Sequence, residues 1–174
     1  MSQLIDNSEI ILASQSPRRS DLLGLIDKQF TIKPANINEN RQPTESAQAY
    51  VSRLAHNKAN KIATNASRQS IVIGADTIVI HKNNILGKPK TNQDAYEMLN
   101  SLNGKTHKVL TAFSVHADQS NTILNDYCET DVKLRIMTSQ EIKFYVSTQE
   151  PMDKSGGYAI QNKTFRAVQR SALC

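Results

Sequence analysis

Residues Ile71-Val72-Ile73-Gly74-Ala75-Asp76-Thr77-Ile78-Val79-Ile80 make a nearly unbroken β-branched run. Such a run reads as a central strand covered on both faces, since a strand with one wet face would alternate apolar with polar side chains. A strand of that kind needs a layer of structure on each side. The run also contains a carboxylate, Asp76. A carboxylate inside a buried strand is costly unless it is paired, hydrogen-bonded or bound to a metal. Gly74 and Ala75 leave room for a close approach beside it. Two readings stand level here: a metal ligand or general base, and a structural ion pair.

The remaining elements group around this strand. Ile10 to Ala13 reads as a second buried strand. Ser16 has the character of an N-cap with Pro17 at the first helical position, opening a helix to about Leu25. A strand is expected around Phe30 to Lys33, then a polar loop over 34–44. Ala47, Tyr50, Val51, Leu54, Ala55, Ala59 and Ile62 recur at helical spacing. Asn83-Asn84 can turn the central strand into a hairpin. Thr91 can cap a helix carrying Ala95, Met98, Leu99 and Leu102, which stops near Gly104. Two long strands, about Lys108 to His116 and Thr122 to Ile136, are joined by a polar turn at 118–120. Thr138 and Glu141 form a capping-box pattern ahead of a helix with Ile142, Tyr145 and Val146 inward. Residues 150–157 read as a loop and Tyr158 to Gln161 as a short strand. Strands and helices mix without strict alternation, which predicts an α/β class with a mixed sheet.

The 174 residues fit a single domain, and hydrophobic residues at 39% are enough for a packed core. No apolar run approaches the roughly 20 residues of a membrane span, and the N-terminus lacks a secretory pattern, so a cytoplasmic protein is expected. Cys128 and Cys174 give neither a disulfide framework nor a metal-binding spacing. The net charge of +5 suits an anionic partner. Nucleic acid is not expected, because the basic residues are scattered and aromatics make up only 5%.

The segment Ser14-Gln15-Ser16-Pro17-Arg18-Arg19 is the sharpest sign of such a partner. A first helical turn favours acidic side chains, and this one carries two arginines. An anion there would reverse the sign of the mismatch, and the Ser14 and Ser16 hydroxyls would add donors. The alternative is that both arginines point into solvent. Lys58 lies on the apolar stripe of its helix, either snorkelling outward or reaching a phosphate. Lys88 and Glu39 lie in loops and have solvated readings when taken singly. His107 is either a base or a structural donor. No Gly-rich phosphate loop, dinucleotide fingerprint, zinc spacing or nucleophile elbow is present.

At these residues the chain resembles the Maf family of nucleoside triphosphate pyrophosphatases. The resemblance runs from Ile11 to about Gln161. It rests on Leu12-Ala13-Ser14-Gln15-Ser16-Pro17-Arg18-Arg19, on Arg53-Leu54-Ala55 with Lys58-Ala59, and on Gly74-Ala75-Asp76-Thr77-Ile78-Val79. Leu86-Gly87-Lys88-Pro89, Gly104-Lys105-Thr106-His107 and the stretch from Glu150 to Gln161 complete it. The resemblance implies a mixed α/β fold of two lobes around a cleft, often as a homodimer, akin to inosine triphosphate pyrophosphatases. It implies cleavage of a nucleoside triphosphate between the α and β phosphates, with Mg²⁺ or Mn²⁺ as cofactor. By position, Asp76 is then the proton acceptor for water and a metal ligand, with Glu39 on the same metal. Ser14, Arg19, Lys58 and Lys88 would bind phosphate, and Arg18, Thr77 and Gln161 would bear on the choice of base. Asp76-Thr77 together with Arg18 resembles the branch acting on dTTP and UTP. Residues 162–174 do not follow the family pattern. Without the usual last strand and helix, apolar surface and a sheet edge would be exposed, which makes a non-catalytic nucleotide-binding homologue the alternative reading.

Overall fold

A computed structural model describes residues 8–26, 28–117, 121–160 and 165–173. Its strands are β1 (Glu9–Leu12), β2 (Phe30–Ile32), β3 (Ser70–His81), β4 (Asn84–Leu86), β5 (Thr106–Ala117), β6 (Asn121–Leu134) and β7 (Val168–Leu173). Its α-helices are α1 (Pro17–Leu23), α2 (Ala47–Ala63), α3 (Asn92–Leu102) and α4 (Ser139–Ser147). The strand order is β2-β1-β3-β5-β6-β7, with β4 beside β3. β1 runs parallel to both β2 and β3, whereas β3–β4 and β6–β7 are antiparallel. The sheet is therefore mixed, as the sequence implied. The chain forms two compact units, Met1–Asp76 with Thr111–Tyr127, and Thr77–Leu110 with Cys128–Cys174.

In the first unit, α2 starts where the Ser46 side chain accepts a bond from the Ala49 N–H. It buries Val51, Leu54, Ala55, Lys58, Ala59 and Ala63, so the middle of the expected stripe is buried while its members Ala47, Tyr50 and Ile62 are half-buried. Ala59 and Ala63 pack with Ile11 of β1, with Ala13 just after it and with Val72 of β3. The closest approach is at Gly74, where a Cβ would lie 2.4 Å from the Ala55 carbonyl oxygen and 2.5 Å from the Ala59 nitrogen. Only a glycine lets the backbone of α2 come so near β3.

In the second unit, α3 and α4 share a core with β-strand residues including Val79, Val109, Val132 and Leu134. Both helix starts were legible: Thr91 accepts from Asp94 N–H, and Thr138 and Glu141 form a reciprocal capping box. Ile142, Tyr145 and Val146 are buried as expected. The hairpin turn falls one residue early, at Lys82-Asn83, whose φ angles of 49° and 65° are left-handed. Pairing of His81 with Asn84 and Val79 with Leu86 sets that register.

Three elements differ from expectation. The first helix ends as an α-helix at Leu23 and tightens into a 3₁₀ turn over Gly24–Ile26. Ser16 makes no side-chain cap; its N–H donates instead to Ser14 Oγ at 3.2 Å. Residues 158–160 form no strand: Tyr158 is extended but turns its ring into the core, donating or accepting at His107 rather than joining a ladder. Gln161 lies outside the described residues. Beyond it, the segment assigned no element forms β7 on β6, and Phe165 stacks on Tyr145 with ring centroids 4.1 Å apart.

Candidate active site

Strand and helix periodicities together place the central charges. Asp76 follows Gly74 by two residues and so faces the same side of β3. Lys58 lies three residues after Ala55 and one before Ala59, on the stripe of α2 that touches Gly74. The contact that Gly74 permits thus sets Lys58 opposite Asp76, and Lys58 Nζ donates to Asp76 Oδ1 at 2.5 Å. The same ammonium meets Glu39 Oε1 at 2.8 Å. Lys58 and Asp76 are both buried, whereas the Glu39 side chain is 53% exposed.

Ser14 and Arg19 complete the group within this unit. Ser14 is buried, and its Oγ accepts from Arg19 Nη1 at 3.0 Å. Burial lowers the Arg19 pKa, while the Asp76 carboxylate acts in the opposite sense. Burial pushes the Asp76 carboxyl above the ordinary carboxylate range, even though Lys58 and Arg19 oppose the shift. Desolvation therefore outweighs two neighbouring cations, and the carboxylate is more basic than an exposed one.

The sequence had tied anion binding to the start of a helix. With seven residues, α1 contributes little macrodipole. The positive charge at this point comes from guanidinium and ammonium groups. Arg18 sits half-buried on the same turn.

Lys88 and Thr77 belong to the second unit. Lys88 is exposed after β4, and the Thr77 carbonyl accepts from Ser155 Oγ at 3.2 Å. His107 is buried there, with Nε2 at 2.5 Å from the Tyr158 hydroxyl, and burial lowers its pKa to about 4. It is a neutral structural partner of Tyr158 rather than a base. Lys154, which the sequence did not single out, is buried, with Nζ 2.5 Å from the Glu150 carbonyl oxygen and 2.6 Å from Asp153 Oδ1.

Sequence reasoning also missed the fastening of the Glu39 segment. Arg53 holds Glu45 through Nε–Oε1 at 2.6 Å and Nη2–Oε2 at 2.8 Å. Tyr50 Oη donates to the Glu39 carbonyl at 2.8 Å. The only available signal was the spacing of Tyr50 and Arg53 on one helix face.

Asp76 and Glu39 converge on one cation, the Lys58 ammonium, which shows that their oxygens can share a positive centre. Among the described residues no group of three or more His, Cys, Asp or Glu side chains gathers to hold a metal. Two carboxylates suit a hard cation such as Mg²⁺, which takes one or two of them and completes its shell with substrate oxygens and water.

A fold selected for stability alone would fill the space under α2 with apolar side chains. This mixed α/β protein instead buries Lys58 and Asp76 there, with the half-exposed Glu39 carboxylate on the same ammonium and the Arg19 guanidinium within electrostatic reach of Asp76, a combination suited to an anion and the cation that accompanies it. The family model described as Maf-like protein matches residues 9–172. The chain is 44% identical over 154 residues to the dTTP/UTP pyrophosphatase of Yersinia pestis bv. Antiqua, covering 88% of this chain and 77% of that protein. It is 46% identical over 154 residues to the same-named protein of Shigella boydii serotype 4, covering 88% and 77%. Against that of Clostridium perfringens, identity is 38% over 167 residues, covering 95% and 87%. The chain belongs to the Maf family.

Proposed function

We propose that the protein hydrolyses a nucleoside triphosphate, dTTP or UTP, between its α and β phosphates, releasing the monophosphate and pyrophosphate. The observation that carries this reading is the Lys58 ammonium shared by Asp76 and Glu39 close to Arg19 and Ser14. The relatives named dTTP/UTP pyrophosphatase support the substrate.

Each side chain has a distinct part. Asp76 accepts a proton from the attacking water, and its raised basicity suits that task. Lys58 keeps the carboxylate in one orientation and lowers the cost of its charge. Arg19, steadied by Ser14, binds phosphate oxygens and stabilises the charge that builds on the departing pyrophosphate. Asp76 and Glu39 would hold a divalent metal, Mg²⁺ or Mn²⁺, which supplies Lewis-acid stabilisation of phosphate charge. Ser14, Lys58 and Lys88 are assigned to phosphate, and Arg18, Thr77 and Gln161 to the choice of base, on the family resemblance alone. Water supplies the oxygen of the new P–O bond, and the proton held by Asp76 returns to solvent on product release.

The sequence offered a non-catalytic homologue as the alternative because of its unusual tail. The tail's pairing with β6 and the Phe165 stack give that reading no support. The test is a nucleotide panel with magnesium, read by pyrophosphate release. Turnover should be fastest with dTTP and UTP, and Asp76→Asn should reduce it by about 10²–10⁴-fold. Activity confined to 7-methyl-GTP would contradict the substrate; an active Asp76→Asn variant would contradict the base.

A further inference from the structure

The Glu39 carboxylate presents a physical difficulty. Residues 33–42 between β2 and α2 form neither helix nor strand, and the Glu39 side chain is half-exposed. Packing does not hold such a group, yet it meets the same ammonium as the buried Asp76. Something else has to place its main chain.

We propose that Tyr50 and Arg53 are positioning residues, fastening the main chain at Glu39 and Asn40 to helix α2 so that Glu39 serves beside Asp76. This rests on the reading of Glu39 and Asp76 as the metal-holding pair. Two successive carbonyls are held: Glu39 O by Tyr50 Oη at 2.8 Å, and Asn40 O by Arg53 Nη2 at 3.0 Å. The two donors are three residues apart and share one helix face. The Arg53 guanidinium carbon lies 5.6 Å from the centre of the Tyr50 ring, and its fork is fixed by the bidentate bond to Glu45. Glu45 is itself held, with Oε2 accepting from Gln42 N–H at 3.2 Å and its carbonyl accepting from Arg41 Nε at 3.0 Å. The clasp is anchored on the helix that carries Lys58, so the Glu39 segment and Lys58 share one rigid support.

A clasp that merely stiffened the loop would affect stability and nothing more. A clasp that positions Glu39 sets the fraction of molecules ready for metal, and apparent metal affinity falls by that fraction when it is lost. One neutral hydrogen bond shifts such a population roughly two- to tenfold.

The test uses the 174-residue chain and Mn²⁺ alone, with free Mn²⁺ followed by electron paramagnetic resonance. Tyr50→Phe should raise the Mn²⁺ Kd roughly two- to tenfold, with saturating Mn²⁺ restoring turnover. Arg53→Lys should raise it at least as much, because an ammonium cannot reproduce the fork. An unchanged Kd in Tyr50→Phe, or a loss of turnover that saturating Mn²⁺ does not repair, overturns the inference. Glu39→Gln measured alongside separates the two levels. If it weakens Mn²⁺ binding while Tyr50→Phe does not, only the positioning role falls. If Glu39→Gln also binds Mn²⁺ normally, the metal-holding role of Glu39 falls and the inference with it.

Discussion

Replacing Gly74 by alanine probes the contact that aligns Lys58 with Asp76. The new methyl would stand 2.4 Å from the Ala55 carbonyl oxygen and 2.5 Å from the Ala59 nitrogen, whereas ordinary contact begins near 3.4 Å. Both obstacles are backbone atoms, so α2 has to retreat from β3 by about 1 Å, the gap between those values. Overpacking of this kind costs roughly 1–3 kcal/mol. For a chain of this size that corresponds to a fall in Tm of about 2–12 °C. The Lys58–Asp76 bond, 2.5 Å long in the native protein, would stretch past the hydrogen-bond limit if the retreat carried Lys58 with it. A misplacement near 1 Å costs on the order of 10²-fold in rate. Differential scanning fluorimetry and pyrophosphate release, the latter well below the variant's Tm, read the two effects separately. Gly24→Ala is the control, since nothing lies within 4 Å of the added Cβ. A Gly74→Ala protein with native Tm, or one that is destabilised but turns over normally, would refute the link between the helix–strand contact and the proposed role of the Lys58–Asp76 pair.

Arg19→Ala should remove a charge-assisted contact of about 1.5–3 kcal/mol and raise KM or lower kcat/KM by roughly 10–100-fold; an unchanged kcat/KM would remove Arg19 from the phosphate contacts. His107 gives a pH-dependent stability. Its folded pKa of about 4 lies below its ordinary 6.5, so the unfolded chain binds the extra proton first and stability falls as pH drops. The contribution is complete above pH 6.5 and is lost towards pH 4, about 3 kcal/mol in all. Urea unfolding between those limits should show the slope in the native protein and a shallower one in His107→Gln; equal slopes would contradict the assignment.

Much of this architecture could be read from local sequence because its signals are local. The β-branched run around Asp76, the apolar stripe of α2 and the Thr138–Glu141 box each specify an element within a few residues. Lys58 and Asp76 could be nominated for the same reason: each breaks an apolar pattern. What brings them together is a tertiary contact at Gly74, and no spacing in the sequence states that α2 lies on β3. The errors have the same origin. Tyr158 has strand character, but its ring is engaged by His107, fifty-one residues away. Residues 168–173 have little pattern of their own and become a strand because β6 offers an edge. In the Tyr50–Arg53–Glu45 clasp the two helical donors sit at i, i+3 spacing, but their partners Glu39, Asn40 and Glu45 lie in a loop, and no sequence period links that loop to the helix.

The most direct test of the proposed activity is the identity of the bond that breaks. Following dTTP with magnesium and purified protein by ³¹P nuclear magnetic resonance distinguishes the products without coupling enzymes. Cleavage between the α and β phosphates predicts equal growth of dTMP and pyrophosphate signals, slowed by about 10²–10⁴-fold with Asp76→Asn. Growth of dTDP and orthophosphate instead, or undiminished dTTP, would contradict it.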